Sequence, residues 1–195
     1  MLDLTEIGSA FIILFAVIDV IGAIPLIISI KEKSGNINVT SATLVTATIM
    51  IVFLFVGESI LKFIGVDLGS FSVAGSIIMA FIAFEMILGI ELFKDGDADE
   101  ATASIVPLAF PLLAGAGSLT TILSIRAEYA TVNIIIAIVL NMIAVYIVLK
   151  SLKWFEKVLG PTGIRVMKKV FGIVLLAIAV KLFSANALLL FSNAG

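Results

Sequence analysis

The sequence predicts an all-α, polytopic membrane protein with six transmembrane helices arranged as two inverted three-helix repeats, the first and fourth helices being broken. Three observations predict it. Apolar residues fill 62% of the 195 positions and charged residues only 13%, against ~45–50% and ~25% in a soluble domain. The apolar residues gather in six stretches, each close to the ~20 residues that carry a helix across a hydrocarbon core of roughly 30 Å. One pattern recurs in both halves of the chain, and each half holds three stretches.

The predicted spans are residues 7–30, 42–64, 71–90, 105–125, 132–149 and 170–190. Barrel strands would instead alternate apolar and polar residues over about 10 positions, and no stretch does so. The second span has the softest edges, because it carries Thr43, Thr46, Thr48 and Glu58. Before the first span, Asp3 and Glu6 stand without a lysine or arginine. A cleavable signal peptide starts with a basic region, so the first span is expected to be retained.

Lysine and arginine concentrate on the cytoplasmic side of membrane proteins. Lys31, Lys33, Lys94, Lys150, Lys153, Lys157, Arg165, Lys168 and Lys169 fall in the first, third and fifth loops, whereas Lys62 and Arg126 fall on the other face. The expected localisation is the cell membrane, with loops 1, 3 and 5 cytoplasmic and both termini outside.

Internal repetition is sought before function. A shift of 95 positions matches Ser9 with Ser104, Phe15 with Phe110, Gly22 with Gly117, Ile27 with Ile122 and Ser29 with Ser124. It also matches Ile30 with Ile125, Lys62 with Lys157 and Gly65 with Gly160, and a two-residue insertion brings Gly75 onto Gly172. The chain divides into residues 1–97 and 98–195 within a single transmembrane domain. An odd number of spans per repeat inserts the second copy upside down. Inverted repeats typify secondary transporters, whose sites lie at mid-membrane between broken helices.

The first span contains Asp19-Val20-Ile21-Gly22-Ala23-Ile24-Pro25 near its middle. Proline removes a helical hydrogen bond, and an ionised aspartate at the bilayer centre costs ~2.5–3.5 kcal/mol. The fourth span has Pro107, Pro111, Gly115, Gly117 and Ser118 at the corresponding place. A broken helix offers free N–H groups and a positive dipole end to an anion, and glycines let a small ligand approach the backbone. Carbonyls at the end of the preceding half-helix, or Asp19, suit an ammonium group. Asp19, Gly22, Pro25, Pro111, Gly115, Gly117 and Ser118 are therefore the candidate substrate-binding residues for a small zwitterion. The competing reading is that the glycines only allow close packing and the prolines are tolerated kinks.

Glu85 and Lys181 also fall within spans, and are candidates for an ion pair across the repeat axis or a proton-linked coupling site. Alternatively, Glu85 reaches the cytoplasmic interface and Lys181 snorkels. Glu58 and Lys62 have the spacing of a helical pair, and Asn141 of the fifth span is read as bridging helices.

With neither histidine nor cysteine, the usual general base, a zinc-binding H-E-x-x-H helix and thiol chemistry are excluded. No glycine-rich nucleotide loop is present, and a net charge of −2 suggests no nucleic-acid partner. No enzyme activity, cofactor or metal site is expected.

The motifs resemble those of the MarC family of integral membrane proteins, which includes SnatA-type small neutral amino-acid transporters. The family pattern D-P-x-G-x-x-P is similar to Asp19–Pro25 here, and P-L-A-x-P-x-x-A-G-P-G to Pro107–Gly117. Similarity continues through Ala74-Gly75 of the third span and Gly172 of the sixth. Val20 and Ala116 stand where the family pattern has proline, so the breaks here rest on Gly22, Gly115 and Gly117. The resemblance implies a secondary active transporter of small neutral amino acids such as glycine and alanine, working by alternating access and driven by a proton or sodium gradient. One repeat is expected to rock against the other. The alternative is an uncoupled channel or facilitator, or an exporter of small metabolites. The expected partners are these amino acids, a coupling ion (H+ or Na+) and the lipid bilayer, with homo-oligomers left open.

Overall fold

The computed structural model describes residues 2–34, 37–90 and 113–193, all of whose regular elements are helices. They are α1 (Leu4–Ile18), α2 (Val20–Ser34), α3 (Val39–Ile64) and α4 (Leu68–Leu88), followed by α5 (Ala116–Ile125), α6 (Thr131–Lys150) and α7 (Leu152–Asn193). Among the described residues, five helical stretches are long and apolar enough to cross a membrane, the α1–α2 stretch up to Ile28 being one. Of the predicted fourth span, residues 105–112 lie outside the described residues, and α5 is its second half.

Several starts follow from capping chemistry, in which a short polar side chain accepts from the first unpaired N–H groups of a helix. The Asp3 carboxylate accepts from the N–H groups of Thr5 at 2.8 Å and Glu6 at 3.3 Å. Asn38 accepts from Ser41 N–H at 3.1 Å, and Asp67 from Ser70 N–H at 2.8 Å.

The fifth loop corrects the sequence reading. Residues 152–169 are helical, because α7 starts at Leu152 and passes a kink at Gly160, where φ is 61° and ψ 175°. Glycine takes that backbone without a Cβ clash, and Pro161 after it suits the first position of a new helical segment. The lysines of this stretch had marked it as a loop. Hydropathy measures what hydrocarbon will accept, whereas a helix continues wherever water can solvate its charged face.

Two contacts identify opposite faces of the bundle. At one, the Glu6 carboxylate of α1 accepts from Asn133 Nδ2 at 2.7 Å and from Ala130 N–H at 3.0 Å, next to the start of α6. At the other, Lys31 Nζ of α2 donates to both carboxylate oxygens of Glu156 at 2.6 and 2.8 Å, near the start of α7. The end of α2 and the start of α7 therefore lie together.

The two halves interlock. Helix α1 packs on α5 and α6, α2 on α6 and α7, α3 on α5 and α6, and α4 on α5 and, most extensively, on α7. Exchanging α1–α2, α3 and α4 for α5, α6 and α7 turns the principal pairs between halves into one another.

The main core is built from α1, α2, α3, α5 and α6, with Leu14, Ile24, Ile27, Leu54, Ile122 and Ile138 fully buried. To this core α4 gives only partly buried Phe71, and α7 only Leu152, Phe155 and Ile164 near its start. The rest of α4 and α7 forms a second layer. Of the most apolar part of the α1–α2 stretch 56% is buried inside the protein and of α6 44%, against 28% for both α3 and α4 and 17% for α7, so α3, α4 and α7 turn more of their surface outward than α1–α2 and α6 do.

Candidate functional site

The break between α1 and α2 is a single residue. Asp19 has φ 43° and ψ 48°, and is the one non-glycine residue with positive φ among the described residues. A left-handed L-residue costs roughly 1–2 kcal/mol, and aspartate tolerates it better than most because its short polar chain bonds locally. Its carboxylate accepts from Gly22 N–H at 3.2 Å and so caps α2. The break takes the last carbonyls of α1 and the first N–H groups of α2 out of the helical ladder. Gly22 leaves room for this cap, since a Cβ there would run into the Asp19 carboxylate and displace it.

Pro25 does not make the break. It is buried inside α2, one and a half turns past Asp19, and the helix continues through it. Packing against neighbouring helices lets a membrane helix accommodate the missing N–H.

The second break precedes α5. Gly115 is extended, with φ −75° and ψ 174°, and caps a helix that starts at Ala116 without a side-chain cap. The buried Ser118 hydroxyl donates back to the Leu113 carbonyl at 3.1 Å and the Gly115 carbonyl at 3.0 Å, tying down the strand of chain that enters the helix. Thr121 donates to the Gly117 carbonyl at 2.7 Å. Pro111 lies outside the described residues.

Both breaks open onto one cavity of about 250 Å³, lined by Asp19, Gly22, Gly115, Gly117, Ser118 and Lys181 among others. It sits in the seam between layers: the broken helices α1–α2 and α5 form one wall, and Met79, Ile82 and Met86 of α4 with one face of α7 form the other. Pockets for drug-sized ligands start near ~300 Å³, so this one suits a smaller guest. Its polarity is one-sided. The broken helices supply backbone and hydroxyl groups, and the opposite wall is apolar except for Lys181.

Glu85 is half-buried on α4 and is not among the cavity residues, although its neighbour Met86 is. The register explains this. A Cβ on Gly172 of α7 would lie 2.9 Å from Ile87 Cγ1, 3.0 Å from Met86 Cβ and 3.2 Å from the Ala83 carbonyl oxygen. Glu85 is therefore level with Gly172, while Lys181 lies nine residues further along α7, about 13 Å at 1.5 Å per residue. The two predicted partners are not brought together; Lys181 shares its cavity with Asp19 instead.

The sequence reading missed Thr121 and the apolar wall. Thr121 was within reach of it, since it lies three and four residues after Ser118 and Gly117 and hence on the same helical face. Asn141 stays outside the site, donating to the carbonyls of Phe11 at 3.2 Å and Ala137 at 2.9 Å, so it bridges α1 and α6.

The family model described as "MarC family integral membrane protein" matches residues 4–191 of the chain. A UPF0056 membrane protein of Aquifex aeolicus is 32% identical over 187 residues, 88% of this chain and 87% of its own. A UPF0056 membrane protein of Methanocaldococcus jannaschii is 31% identical over 93% of this chain and 95% of its own. The UPF0056 membrane protein YhcE of Escherichia coli is 30% identical over 88% of this chain and 86% of its own. No solved structure matches the chain.

Proposed function

The chain belongs to the MarC family of integral membrane proteins, and on that premise we propose that it is a secondary active transporter of small neutral amino acids such as glycine and alanine. The observation that carries this reading is the convergence of both helix breaks on one small cavity between the layers. Carbonyls released at the end of α1, together with the Asp19 carboxylate, suit an ammonium group. The unpaired N–H groups at the start of α5 suit a carboxylate. The apolar wall leaves room for no more than a small side chain.

The exchange symmetry of the packing supports reading the chain as two inverted repeats, and the basic end marked by Lys31, Lys150 and Lys153 supports placing that face in the cytoplasm. Because the halves interlock, the motion proposed here is not repeat against repeat. The α4–α7 layer moves against the five-helix core, opening the seam to one face and then the other, with a proton or sodium gradient giving direction. Neither a catalytic activity nor a cofactor enters this cycle.

Uptake of labelled glycine and alanine into proteoliposomes tests the reading. The wild-type protein should concentrate substrate under an imposed proton or sodium gradient and lose accumulation when the gradient is collapsed. Unaltered equilibration without the gradient would instead identify a facilitator. Asp19→Asn should retain the cap on Gly22 while weakening the hold on the ammonium group. Loss of a charge-assisted hydrogen bond of ~1.5–3 kcal/mol lowers uptake at sub-saturating substrate roughly ten- to a hundredfold. Unchanged uptake by this variant would remove Asp19 from the mechanism.

A further inference from the structure

Lys181 lies one residue from the centre of the predicted span 170–190, where a lysine facing hydrocarbon costs ~2.5–3.5 kcal/mol. The predicted span runs nine residues further, to residue 190, about 13 Å along the axis, longer than a lysine side chain. The helix face it shares is informative. Phe171, Leu175, Ile178, Lys181 and Leu182 recur at helical spacing and all line the cavity, Lys181 being itself exposed beside it, while Ile173, Val180 and Phe183 point outward at 60%, 58% and 45% exposure. Among the described residues, the Lys181 ammonium makes no hydrogen bond or ion pair. The Asp19 carboxylate, on the opposite wall, bonds only the Gly22 N–H. Among the described residues the cavity thus holds one positive and one negative side chain, contributed by opposite layers and not joined to each other.

From this we infer that Lys181 is the specificity-determining residue of the cavity: its ammonium receives the carboxylate of a zwitterionic ligand whose amino group lies toward Asp19, so the ligand bridges the two layers. The inference rests on the transporter reading and deepens it. The Asp19 carboxylate is half-buried and the exposed Lys181 borders the same apolar-walled space, and a guest carrying both complementary charges satisfies them together. An amine without a carboxylate satisfies one. A ligand bridging the layers also makes their closure depend on cargo, since it contacts the α4–α7 layer through Lys181 and the core through Asp19.

The absence of cysteine permits a test that does not depend on transport. Thr121→Cys places a single thiol in the cavity wall, and its reaction rates with anionic and cationic methanethiosulfonates of equal size report the local charge. In the reconstituted full chain, adding Lys181→Gln should lower the anionic-to-cationic rate ratio about tenfold, ~1.4 kcal/mol of electrostatic preference. Adding Lys181→Arg should preserve the ratio. Alanine should protect the thiol in the Lys181 parent, ethylamine should not, and protection by alanine should be lost in Lys181→Gln. An unmoved rate ratio, or equal protection by alanine in the parent and Lys181→Gln, overturns the assignment even if the protein carries glycine. Protection that behaves as expected in a protein unable to accumulate amino acids would overturn the transporter reading and leave the role of Lys181 standing.

Discussion

The five-helix core and the α4–α7 layer are made from similarly apolar sequence, yet they pack in different ways. In the core, large side chains such as Leu14, Ile27 and Leu54 are fully enclosed. Where α4 meets α7, the approach at Gly172 is so close that a single added carbon would touch Ile87, Met86 and the Ala83 carbonyl. Lipid is as apolar as leucine, so membrane helices associate through close packing and polar contacts, not by burying oil from water. A layer joined internally by small residues but bordered by a cavity is suited to shift as a unit. The core is suited to stay.

Tying the layers together should produce the largest effect. The rings of Phe53 on α3 and Phe71 on α4 stack with centroids 5.6 Å apart, outside the cavity. In the cysteine-free chain, joining Phe53→Cys to Phe71→Cys with a short reducible thiol cross-linker should abolish uptake, and reduction should restore it. A control within the core joins Glu6→Cys to Asn133→Cys, where the native side chains meet at 2.7 Å. Uptake should survive that link. Equal loss from both would mean that the layers do not move relative to each other.

Point substitutions sharpen the comparison at smaller cost. Ile27→Ala leaves a cavity at a site with no exposed surface, for which about 2–5 kcal/mol of stability is expected to be lost. Gly172→Ala overpacks the α4–α7 contact, where about 1–3 kcal/mol is typical. Denaturant titration in micelles should rank them in that order, while the ratio of uptake rate to folded fraction should fall only for Gly172→Ala. The reverse pattern would place the moving surface inside the core.

Much of this arrangement was legible in the sequence because bilayer thickness dictates helix length. The predicted spans 42–64, 71–90 and 132–149 agree with α3, α4 and α6 to within three residues at each end. The first break was legible from the company of Asp19 and Gly22, but its position was not. Proline looked the stronger breaker, whereas the backbone turns at the aspartate because a carboxylate can cap the next helix and Pro25 cannot. That Lys181 borders the same cavity as Asp19 was illegible for a different reason. Which face α7 turns toward the cavity depends on its register against α4, set by Gly172, and a one-dimensional pattern of apolar residues does not encode that register. The interlocking of the halves was hidden likewise, since sequence repetition says that two units are alike and not whether each packs on itself.

The smallest effect concerns the two exposed aspartate caps, one on each layer. Asp3 starts α1 and Asp67 starts α4. Backbone N–H bonds from Thr5 and then Glu6 hold the Asp3 carboxyl below the usual carboxylate range. The Ser70 hydroxyl, followed by its N–H, does the same for Asp67. A carboxyl whose folded pKa is depressed contributes stability that is present above its unfolded pKa of about 3.9 and is lost as pH falls through the folded value. Asparagine caps a helix about as well as aspartate without titrating in this range, so Asp→Asn isolates the charge. Both sites are fully exposed, and the shift in melting midpoint at neutral pH should be small for each variant and vanish once the pH is below the folded pKa. If the layers melt as separate units, Asp67→Asn should move only the earlier transition and Asp3→Asn only the later one. Displacement of both transitions by either variant would show the α4–α7 layer unfolding together with the core, and so confine any independence of the layers to the native state's own motion.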